Sequence, residues 1–542
     1  MKVIGRYDRR ETLAVTLLFI LLTVLMTWPQ VRVLATHARE HQDVFFNLWR
    51  LKWIAHALDA SPAHFFDGNI FYPEPRTLTL SDAMLVEGLI GAPLFWMGLP
   101  SVLVHNLLLL APIVASAVGI FVLVRDLTGS RGAGVLAGIV FAFVPYRYEH
   151  YMHMELQWTL WTPWAFWAMH RTIETGRRRY GVLTGVFIGL QMLSSIYYGL
   201  FLATLLPLCG VLLLLGQPWA QLRRSIAAFA AGAVVTMAIC TVYAPYLVTK
   251  DERGGRPESE LVTFSARPSS YLVSTPDNVL WGKSFASRGR LERRLFPGLT
   301  AILIAMIGLL LRPPPRAALV YLVALAVAFD MSLGLSGHIY RFLYYYVPVY
   351  QGLRALARLG IFVAFFLAIL AGYGYVAVAR DLARPWRGAI VCALALLMLA
   401  EYRVRPLALI PYMNQPPPLY AWLKQQPRGV VAELPMRGEP LPGADPVYSY
   451  LSTFHWQPIV NGYSGFYPDS YLSRLDAVSG FPDEESMRRL RMDGVRYIVI
   501  HLREYPAESR ESIVNVVRNG YGLAELGRFS DGQDDAVVFA LR

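Results

Sequence analysis

Three short segments carry ionisable side chains at spacings that suit acid–base chemistry or phosphate binding. The first, HAREHQDVFFNLW (37–49), places Glu40 and Asp43 just before a helical pattern. A carboxylate in this position could act as a general base and remove a proton from a hydroxyl group. An Asp at the start of a helix is also a common N-cap, so a purely structural role is the alternative.

The second segment, YRYEHYMHMELQW (146–158), contains His150, His153 and Glu155. The two histidines are three residues apart and can share one face of a helix. Together with a carboxylate they could bind a divalent metal, or hydrogen-bond a sugar or a phosphate. Their spacing matches no recognised zinc motif, so a histidine pair among aromatic residues at a membrane interface is the alternative.

The third segment, QGLRALARLG (351–360), contains Arg354 and Arg358, four residues apart at the start of an apolar run. Guanidinium groups bind phosphate oxygens through two parallel hydrogen bonds, so the pair could form a clamp for a lipid phosphate or pyrophosphate. The alternative is that both side chains reach out to the phosphates of ordinary lipid headgroups.

Aromatic residues cluster in three further segments. They are SSIYYGLF (194–201), which contains Tyr197 and Tyr198, RFLYYYVPVY (341–350) and WQPIVNGYSGFYPDSY (456–471). Exposed Tyr and Trp rings stack on sugar faces, but they also populate membrane interfaces without any catalytic role. The sequence contains no Walker A loop, no GxSxG and no HExxH, which argues against an ATP-driven pump or a standard hydrolase.

The elements that position these residues follow from the composition. Of the 542 residues, 55% are hydrophobic and only 16% are charged, and the mean hydropathy is +0.39. Soluble chains carry about 25% charged residues, so we expect an integral membrane protein with many spans. The net charge of +12 is then topological rather than a nucleic-acid footprint. The three cysteines all lie in apolar runs and suggest no disulfide.

Hydropathy and basic residues predict eleven membrane spans. The apolar runs are 12–28, 102–124, 133–147, 156–170, 181–196, 197–216, 225–247, 297–311, 317–336, 358–379 and 388–401. A further run, 83–96, is short and broken by Gly and Pro, and we expect it to lie in-plane or re-entrant. With the N-terminus in the cytoplasm, this count puts every basic cluster inside. The clusters contain Lys2, Arg6, Arg9, Arg10, Arg125, Arg131, Arg171, Arg177, Arg178, Arg179, Arg223, Arg224, Arg312, Arg316, Arg380, Arg384 and Arg387.

The predicted fold class is therefore mainly α, a polytopic helical membrane protein with a C-terminal extracytoplasmic α/β domain. Residues 1–401 form the transmembrane domain, including a first outer loop (29–82) with an amphipathic helix over 43–58 that places Trp49 and Trp53 at headgroup depth. Residues 402–542 form the soluble domain. Its predicted strands are VVAELP (430–435), IVNGY (459–463), VRYIVIHL (495–502) and DAVVFALR (535–542).

This layout resembles the GT-C superfamily of membrane glycosyltransferases. The matching features are the long first outer loop with Asp43 early in it and Glu40 nearby, the in-plane helix, the multi-span core and the outer C-terminal domain. The segments YRYEHYMHMELQW, SSIYYGLF and LRALARLG also look like those of bacterial membrane proteins grouped with this superfamily. The similarity covers residues 1–401 in layout.

The resemblance implies an enzyme of a bacterial inner membrane that moves a sugar from a polyprenyl-phosphate carrier to an extracytoplasmic acceptor. It places Asp43 at the position of the catalytic acid. Glu40 and Asp43 are separated by two residues and form no Asp-x-Asp or Glu-x-Asp pair, so a need for a divalent metal such as Mg²⁺ or Mn²⁺ stays open. The implied partners are the lipid-linked donor and membrane lipid.

On this hypothesis the reaction is a single inverting displacement. Asp43 removes the proton of the acceptor hydroxyl, while Arg354 and Arg358 neutralise the departing lipid phosphate. The residues expected to position the sugar or the acceptor are His150, His153, Glu155, Tyr197 and Tyr198.

Two other functions stay open from the sequence. A lipid or polysaccharide transporter or flippase should carry charges inside its spans, and Asp330 in VALAVAFDMSLGL is the one acidic residue deep in an apolar run. A non-enzymatic envelope assembly factor would fit the outer soluble domain.

Overall fold

The computed structural model describes residues 9–285, 290–437, 443–531 and 534–541. Lys2 and Arg6 of the predicted cytoplasmic clusters lie outside these residues. The chain divides into two compact units that interleave along the sequence. We call Met1–Val33 with Leu107–Ala408 the helical unit, and Leu34–Asn106 with Leu409–Arg542 the mixed unit.

Each of the eleven predicted apolar runs contains a helix. These helices are Arg9–Met26, Ser101–Thr128, Arg131–Phe143, Trp161–Thr175, Arg178–Ser194, Ile196–Leu214, Trp219–Cys240, Leu299–Leu311, Arg316–Ser332, Gly360–Ala379 and Arg384–Tyr402. In the described part of the chain, five helical stretches are long and apolar enough to cross a membrane on their own. The protein is thus an integral membrane protein, and the count of eleven spans stays a prediction.

Shorter helices connect these long ones within the helical unit. They are Pro145–Glu149, Ala244–Arg253, Glu258–Phe264, Gly282–Phe285 and Ile339–Tyr346. Two long helices, Arg178–Ser194 and Trp219–Cys240, approach each other closely. A Cβ atom added at Gly185 would lie 2.0 Å from the carbonyl oxygen of Gly232. Small residues at this crossing let the two backbones touch, as is common between membrane helices.

The mixed unit joins two stretches of the chain, Leu34–Asn106 and Leu409–Arg542, that are separated by about 300 residues. Strand β1 (His37–Arg39) pairs antiparallel with β2 (Leu409–Pro411). The larger sheet has the order β3-β4-β6-β5 and contains β3 (Val430–Leu434), β4 (Val495–His501), β5 (Ala524–Ser530) and β6 (Asp535–Ala540). Strands β3 and β4 run parallel, and the other pairs run antiparallel. The helices are Gln42–Ala60, Leu85–Trp96, Pro418–Leu423, Asp445–Leu451, Asp469–Val478, Glu484–Met492 and Arg510–Asn515.

The predicted strands at 430–435, 495–502 and 535–542 correspond to β3, β4 and β6, although Arg542 lies outside the described residues. The strand predicted at 459–463 is wrong, because its backbone forms only an isolated bridge between Ile459 and Val431. Beyond this bridge, the side chain of Asn461 makes the hydrogen bonds to β3 that the backbone of a paired strand would make. Its Oδ1 accepts the Glu433 N–H at 2.9 Å, and its Nδ2 donates to the Glu433 carbonyl at 2.8 Å.

The helix predicted over 43–58 is present as Gln42–Ala60, but the prediction that it is amphipathic is wrong. Eleven of its nineteen residues are buried, on most sides of the helix. The indole of Trp49 donates to Asn69 at 3.0 Å, and that of Trp53 donates to the Phe65 carbonyl at 2.9 Å. The two tryptophans therefore belong to the core of the mixed unit, because residues from this loop and from the C-terminal part cover the helix.

The Leu85–Trp96 helix has twelve residues, so it is about 18 Å long at 1.5 Å per residue. A hydrocarbon core of about 30 Å is too thick for it to span. Its length favours the predicted in-plane or re-entrant position, which itself stays a prediction.

Candidate functional site

A buried cluster of three ionisable side chains lies in the helical unit. Each of the three residues lies in a short turn or at the end of a helix. Glu292 sits in the Leu291–Arg293 turn, and Arg358 sits in the turn before the Gly360–Ala379 helix. Both the Nε and the Nη2 of Arg358 donate to one oxygen of Glu292, at 3.2 and 3.0 Å. The other oxygen of Glu292 lies 3.6 Å from Nε2 of His150, which ends the Pro145–Glu149 helix. We call Glu292, Arg358 and His150 the Glu292 cluster.

Charge in the Glu292 cluster is carried by the arginine and the glutamate. Burial alone would raise the pKa of Glu292, but Arg358 and the nearby histidines outweigh it and lower the pKa to about 2. Burial lowers the pKa of His150 to about 3. The Glu292 carboxylate opposes this shift, whereas the positive charges of His153, Arg358 and Arg294 add to it. His150 is therefore neutral and Glu292 ionised near neutral pH.

Further contacts surround this cluster. The Nδ1 atoms of His150 and His153 are 3.2 Å apart, within hydrogen-bond distance. Arg294 donates to Glu149 at 2.6 Å. The hydroxyl groups of Tyr146 and Tyr198 are 3.2 Å apart, and Tyr198 is fully buried.

A second arginine group adjoins the cluster through Tyr197. The guanidinium of Arg358 lies over the Tyr197 ring at 4.9 Å, and the Tyr197 hydroxyl accepts the backbone N–H of Arg354 at 3.0 Å. The guanidinium of Arg354 lies over the Phe264 ring at 5.3 Å. Among the described residues, no carboxylate pairs with Arg354. This half-buried cation is therefore placed to accept an anion.

Arg256, which the sequence did not single out, interacts electrostatically with Arg354. Its backbone N–H donates to the Gln351 carbonyl at 2.9 Å, and its side chain contacts Glu260 at 3.3 Å. Burial and the positive charge of Arg354 together lower the pKa of Arg256 to about 10. Two arginines that repel each other gain stability when an anion binds between or beside them.

The structure thus brings together most of the candidates that lie in the helical unit. His150, His153, Tyr197, Tyr198, Arg354 and Arg358 share direct contacts or neighbours, and buried Glu155 interacts electrostatically with Arg358. Arg358, however, is occupied by Glu292, so the predicted clamp of two free arginines is not formed by that pair.

Sequence reasoning missed Glu292, Arg294 and Arg256. All three lie between the predicted spans 225–247 and 297–311, in a stretch where the sequence analysis proposed no site residue. Glu292 stands between several arginines in RGRLERRLF, and an acidic residue in so basic a stretch is a signal of an ion pair.

The need for a divalent metal, which the sequence left open, finds no ligand set among the described residues. The described residues contain no group of three His, Cys, Asp or Glu side chains arranged to hold a metal ion. His150 and His153 direct their Nδ1 atoms at each other instead.

Asp43 and Glu40 lie in the mixed unit, at the start of the Gln42–Ala60 helix. The helix cap is His41, whose Nδ1 accepts the Asp43 N–H at 3.1 Å, so the alternative interpretation of Asp43 as the N-cap is wrong. The Asp43 carboxylate is 15% exposed and accepts a hydrogen bond from the Tyr463 hydroxyl at 2.8 Å. Glu40 is exposed. A carboxylate that is held in place and partly exposed to solvent suits a general base.

Asp330 has a structural explanation. It lies near the end of the Arg316–Ser332 helix, where its carboxylate accepts the backbone N–H groups of His338 and Ile339 at 3.0 and 2.8 Å. It therefore caps the Ile339–Tyr346 helix, and its presence in an apolar run needs no transport role.

Comparisons with known proteins bear on the helical unit. Residues 95–246 match the family model described as dolichyl-phosphate-mannose-protein mannosyltransferase. A solved structure of ArnT from Cupriavidus metallidurans bound to undecaprenyl phosphate matches with a TM-score of 0.44 and 14% identity, covering 97% of each chain. No curated protein matches the chain. The family match includes His150, His153, Glu155, Tyr197 and Tyr198, and it confirms the resemblance of this chain to GT-C membrane glycosyltransferases.

Proposed function

We propose that this protein transfers a sugar from a polyprenyl-phosphate carrier to an extracytoplasmic acceptor, with inversion at the anomeric carbon. The observation that carries the proposal is the half-buried guanidinium of Arg354, which has no carboxylate partner among the described residues. An unpaired, partly desolvated arginine is costly unless an anion binds it. The match to a family named for a lipid-phosphate-sugar substrate supports a lipid phosphate as that anion.

The phosphate of the carrier is bound by Arg354, with Arg256 as the neighbouring positive charge. Arg358 does not bind phosphate directly on this proposal. Its bonds to Glu292 and its stacking on Tyr197 hold the Tyr197 hydroxyl against the Arg354 backbone. His150, His153, Glu155 and Tyr198 shape the surroundings in which the sugar is held.

In the transfer step, the acceptor oxygen forms a bond to the anomeric carbon as the bond from that carbon to the phosphate oxygen breaks. The acceptor proton goes to Asp43, and the electron pair of the broken bond leaves with the lipid phosphate, whose charge Arg354 stabilises. The proposed orientation places the N-terminus in the cytoplasm of a bacterial inner membrane and residues 402–542 outside it.

The test is lipid binding by the full chain in nanodiscs. We expect wild-type protein to bind undecaprenyl phosphate and to discriminate against undecaprenol, which lacks the phosphate. Arg354→Ala should weaken undecaprenyl phosphate binding by roughly 10- to 100-fold, the range expected for lost charge-assisted hydrogen bonds. Arg224→Ala, which removes an exposed arginine from the same unit, is the matched control. Equal affinities of the Arg354 variant and the wild type would refute the phosphate site.

A further inference from the structure

A hydrogen bond inside the mixed unit links Asp43 to a residue 420 positions later in the chain. The Tyr463 hydroxyl donates to Oδ1 of Asp43 at 2.8 Å, and the Tyr463 ring packs edge-on against Phe46 at 5.5 Å between centroids. His41 lies 3.4 Å from Oδ2, but its Nδ1 already accepts the Asp43 N–H and so carries no proton to donate. Tyr463 is thus a side chain of the same unit whose hydroxyl stabilises the ionised form of this carboxylate.

The backbone that carries Tyr463 is held from two sides. On one side, Phe71 donates to the Asn461 carbonyl at 2.8 Å and Tyr72 donates to the Ile459 carbonyl at 3.0 Å. On the other, Val460 donates to the Val431 carbonyl of β3 at 3.0 Å. A backbone segment that is hydrogen-bonded on both sides has little freedom to move, and this restricts the side chain of Tyr463, which follows it closely.

Asn461 adds a buried connection between this segment and the strands. Besides its two bonds to the backbone of Glu433, its Nδ2 donates to Asp445 at 2.9 Å. Asn461 and Asp445 are both fully buried. The position of Tyr463 is therefore determined by the interior of the mixed unit, and its ring and hydroxyl meet Asp43 in a fixed geometry.

We propose that Tyr463 is a positioning residue for Asp43, which holds Oδ1 in place and stabilises the ionised carboxylate. This inference rests on the proposed function in taking Asp43 as the base. It assigns the aromatic segment 456–471 a role in tuning that base, in addition to the sugar stacking expected from its composition.

The inference is tested without any substrate by labelling Asp43 in the full-length protein. A water-soluble carbodiimide with an amine reacts with protonated carboxyl groups, so the extent of labelling at Asp43, read by mass spectrometry, falls as the carboxyl ionises. We expect Tyr463→Phe to move the midpoint of this curve upward by roughly half to one pH unit, because the ionised form loses a hydrogen-bond donor. Tyr497→Phe removes another buried hydroxyl, which donates to the Pro427 carbonyl, and should leave the midpoint unchanged.

A second substitution guards against misfolding. Incorporating 3-fluorotyrosine at position 463 keeps the ring size and makes the hydroxyl a stronger donor, so the midpoint should move downward. Unchanged midpoints in both variants would overturn the inference and leave the proposed function standing. Full sugar transfer by Asp43→Asn would instead refute the base role of Asp43, while a shifted labelling curve would still show that Tyr463 controls its ionisation.

Discussion

Each unit of the protein buries a glutamate beside a histidine, yet the two pairs carry their charge differently. In the helical unit, Glu292 lies 3.6 Å from His150. In the mixed unit, Glu433 lies 2.9 Å from Nε2 of His501. His150 has its pKa lowered to about 3, whereas His501 has its pKa raised to about 9. The first histidine is neutral at pH 7 and the second is an imidazolium.

The difference comes from the third member of each cluster. Glu292 is paired with Arg358, and the guanidinium neutralises the carboxylate. His150 therefore stays neutral. Within the part of the chain that the structure describes, no arginine pairs with Glu433; instead Asp534 binds the other ring nitrogen of His501 at 2.5 Å. Burial lowers the pKa of His501, but its hydrogen bonds to Asp534 and Glu433 outweigh burial. Neighbouring charges therefore decide the protonation state of a buried histidine, and burial alone does not.

Removal of Arg358 should give the largest effect on stability. It should also let His150 take a proton, as His501 already does in the mixed unit. Arg358→Leu leaves Glu292 buried without its cation, and we expect the free energy of unfolding to fall by about 3–5 kcal/mol at pH 8. The loss should shrink toward pH 5, because His150 can then take a proton and replace the missing charge. Unfolding of the purified full-length protein in detergent at several pH values measures both effects.

The double variant Arg358→Leu with Glu292→Leu is the matched control. It removes both charges, so it should recover most of the lost stability and show the same dependence on pH as the wild type in this range. If Arg358→Leu alone were as stable as the wild type, Glu292 would not depend on the arginine, and the proposed contrast between the clusters would fail.

Much of this arrangement was predictable from sequence where local pattern determines structure. The apolar runs predicted every long helix of the helical unit, and alternation with β-branched residues predicted β3, β4 and β6. His150, His153, Arg354 and Arg358 could be proposed because their residue types and spacings are visible locally. The family resemblance supplied Asp43 as the proposed base.

Pairings across long stretches of sequence could not be predicted in this way. Glu292 lies 66 residues before Arg358, and Tyr463 lies 420 residues after Asp43. The pairing of β1 with β2 groups residues 34–106 with the C-terminal part, whereas composition grouped them with the spans. The burial of the Gln42–Ala60 helix depends on these distant partners, which is why its own pattern suggested a surface helix.

Substitution of His501 should give the next largest effect. Its pKa is about 9 in the folded protein and 6.5 in the reference state, so folding favours the protonated form. The stabilisation is complete below pH 6.5 and is lost as the pH rises through 9. At 1.36 kcal/mol per unit it amounts to on the order of 3 kcal/mol. His501→Gln should remove this pH-dependent loss.

Hydrogen–deuterium exchange of residues 495–501 in the full-length protein, corrected for intrinsic rates, measures the local stability. His455→Gln is the matched control, since His455 is a buried histidine whose pKa burial lowers to about 3. That variant should keep the wild-type decline between pH 6.5 and 9. A flat wild-type profile would show that His501 is not an imidazolium and would remove the contrast with His150.

Substitution of Asp445 should give the smallest effect at a single pH. Burial raises its pKa to about 7; hydrogen bonds from Tyr471 and Asn461 oppose this shift, and the charge of Glu433 adds to it. Because the folded pKa exceeds the reference value of 3.8, the stabilisation is present below about pH 4 and is lost as the pH rises through 7.

Asp445→Asn mimics the neutral acid, so stability at pH 5 should change by less than about 1 kcal/mol. The variant should lack the wild-type decline between pH 4 and 7, measured by exchange in the Asp445–Leu451 helix, whereas the exposed-site control Asp469→Asn should retain it. If the Asp445→Asn variant still declined, Asp445 would not be the group that titrates between pH 4 and 7, and the effect of burial on its pKa would be refuted.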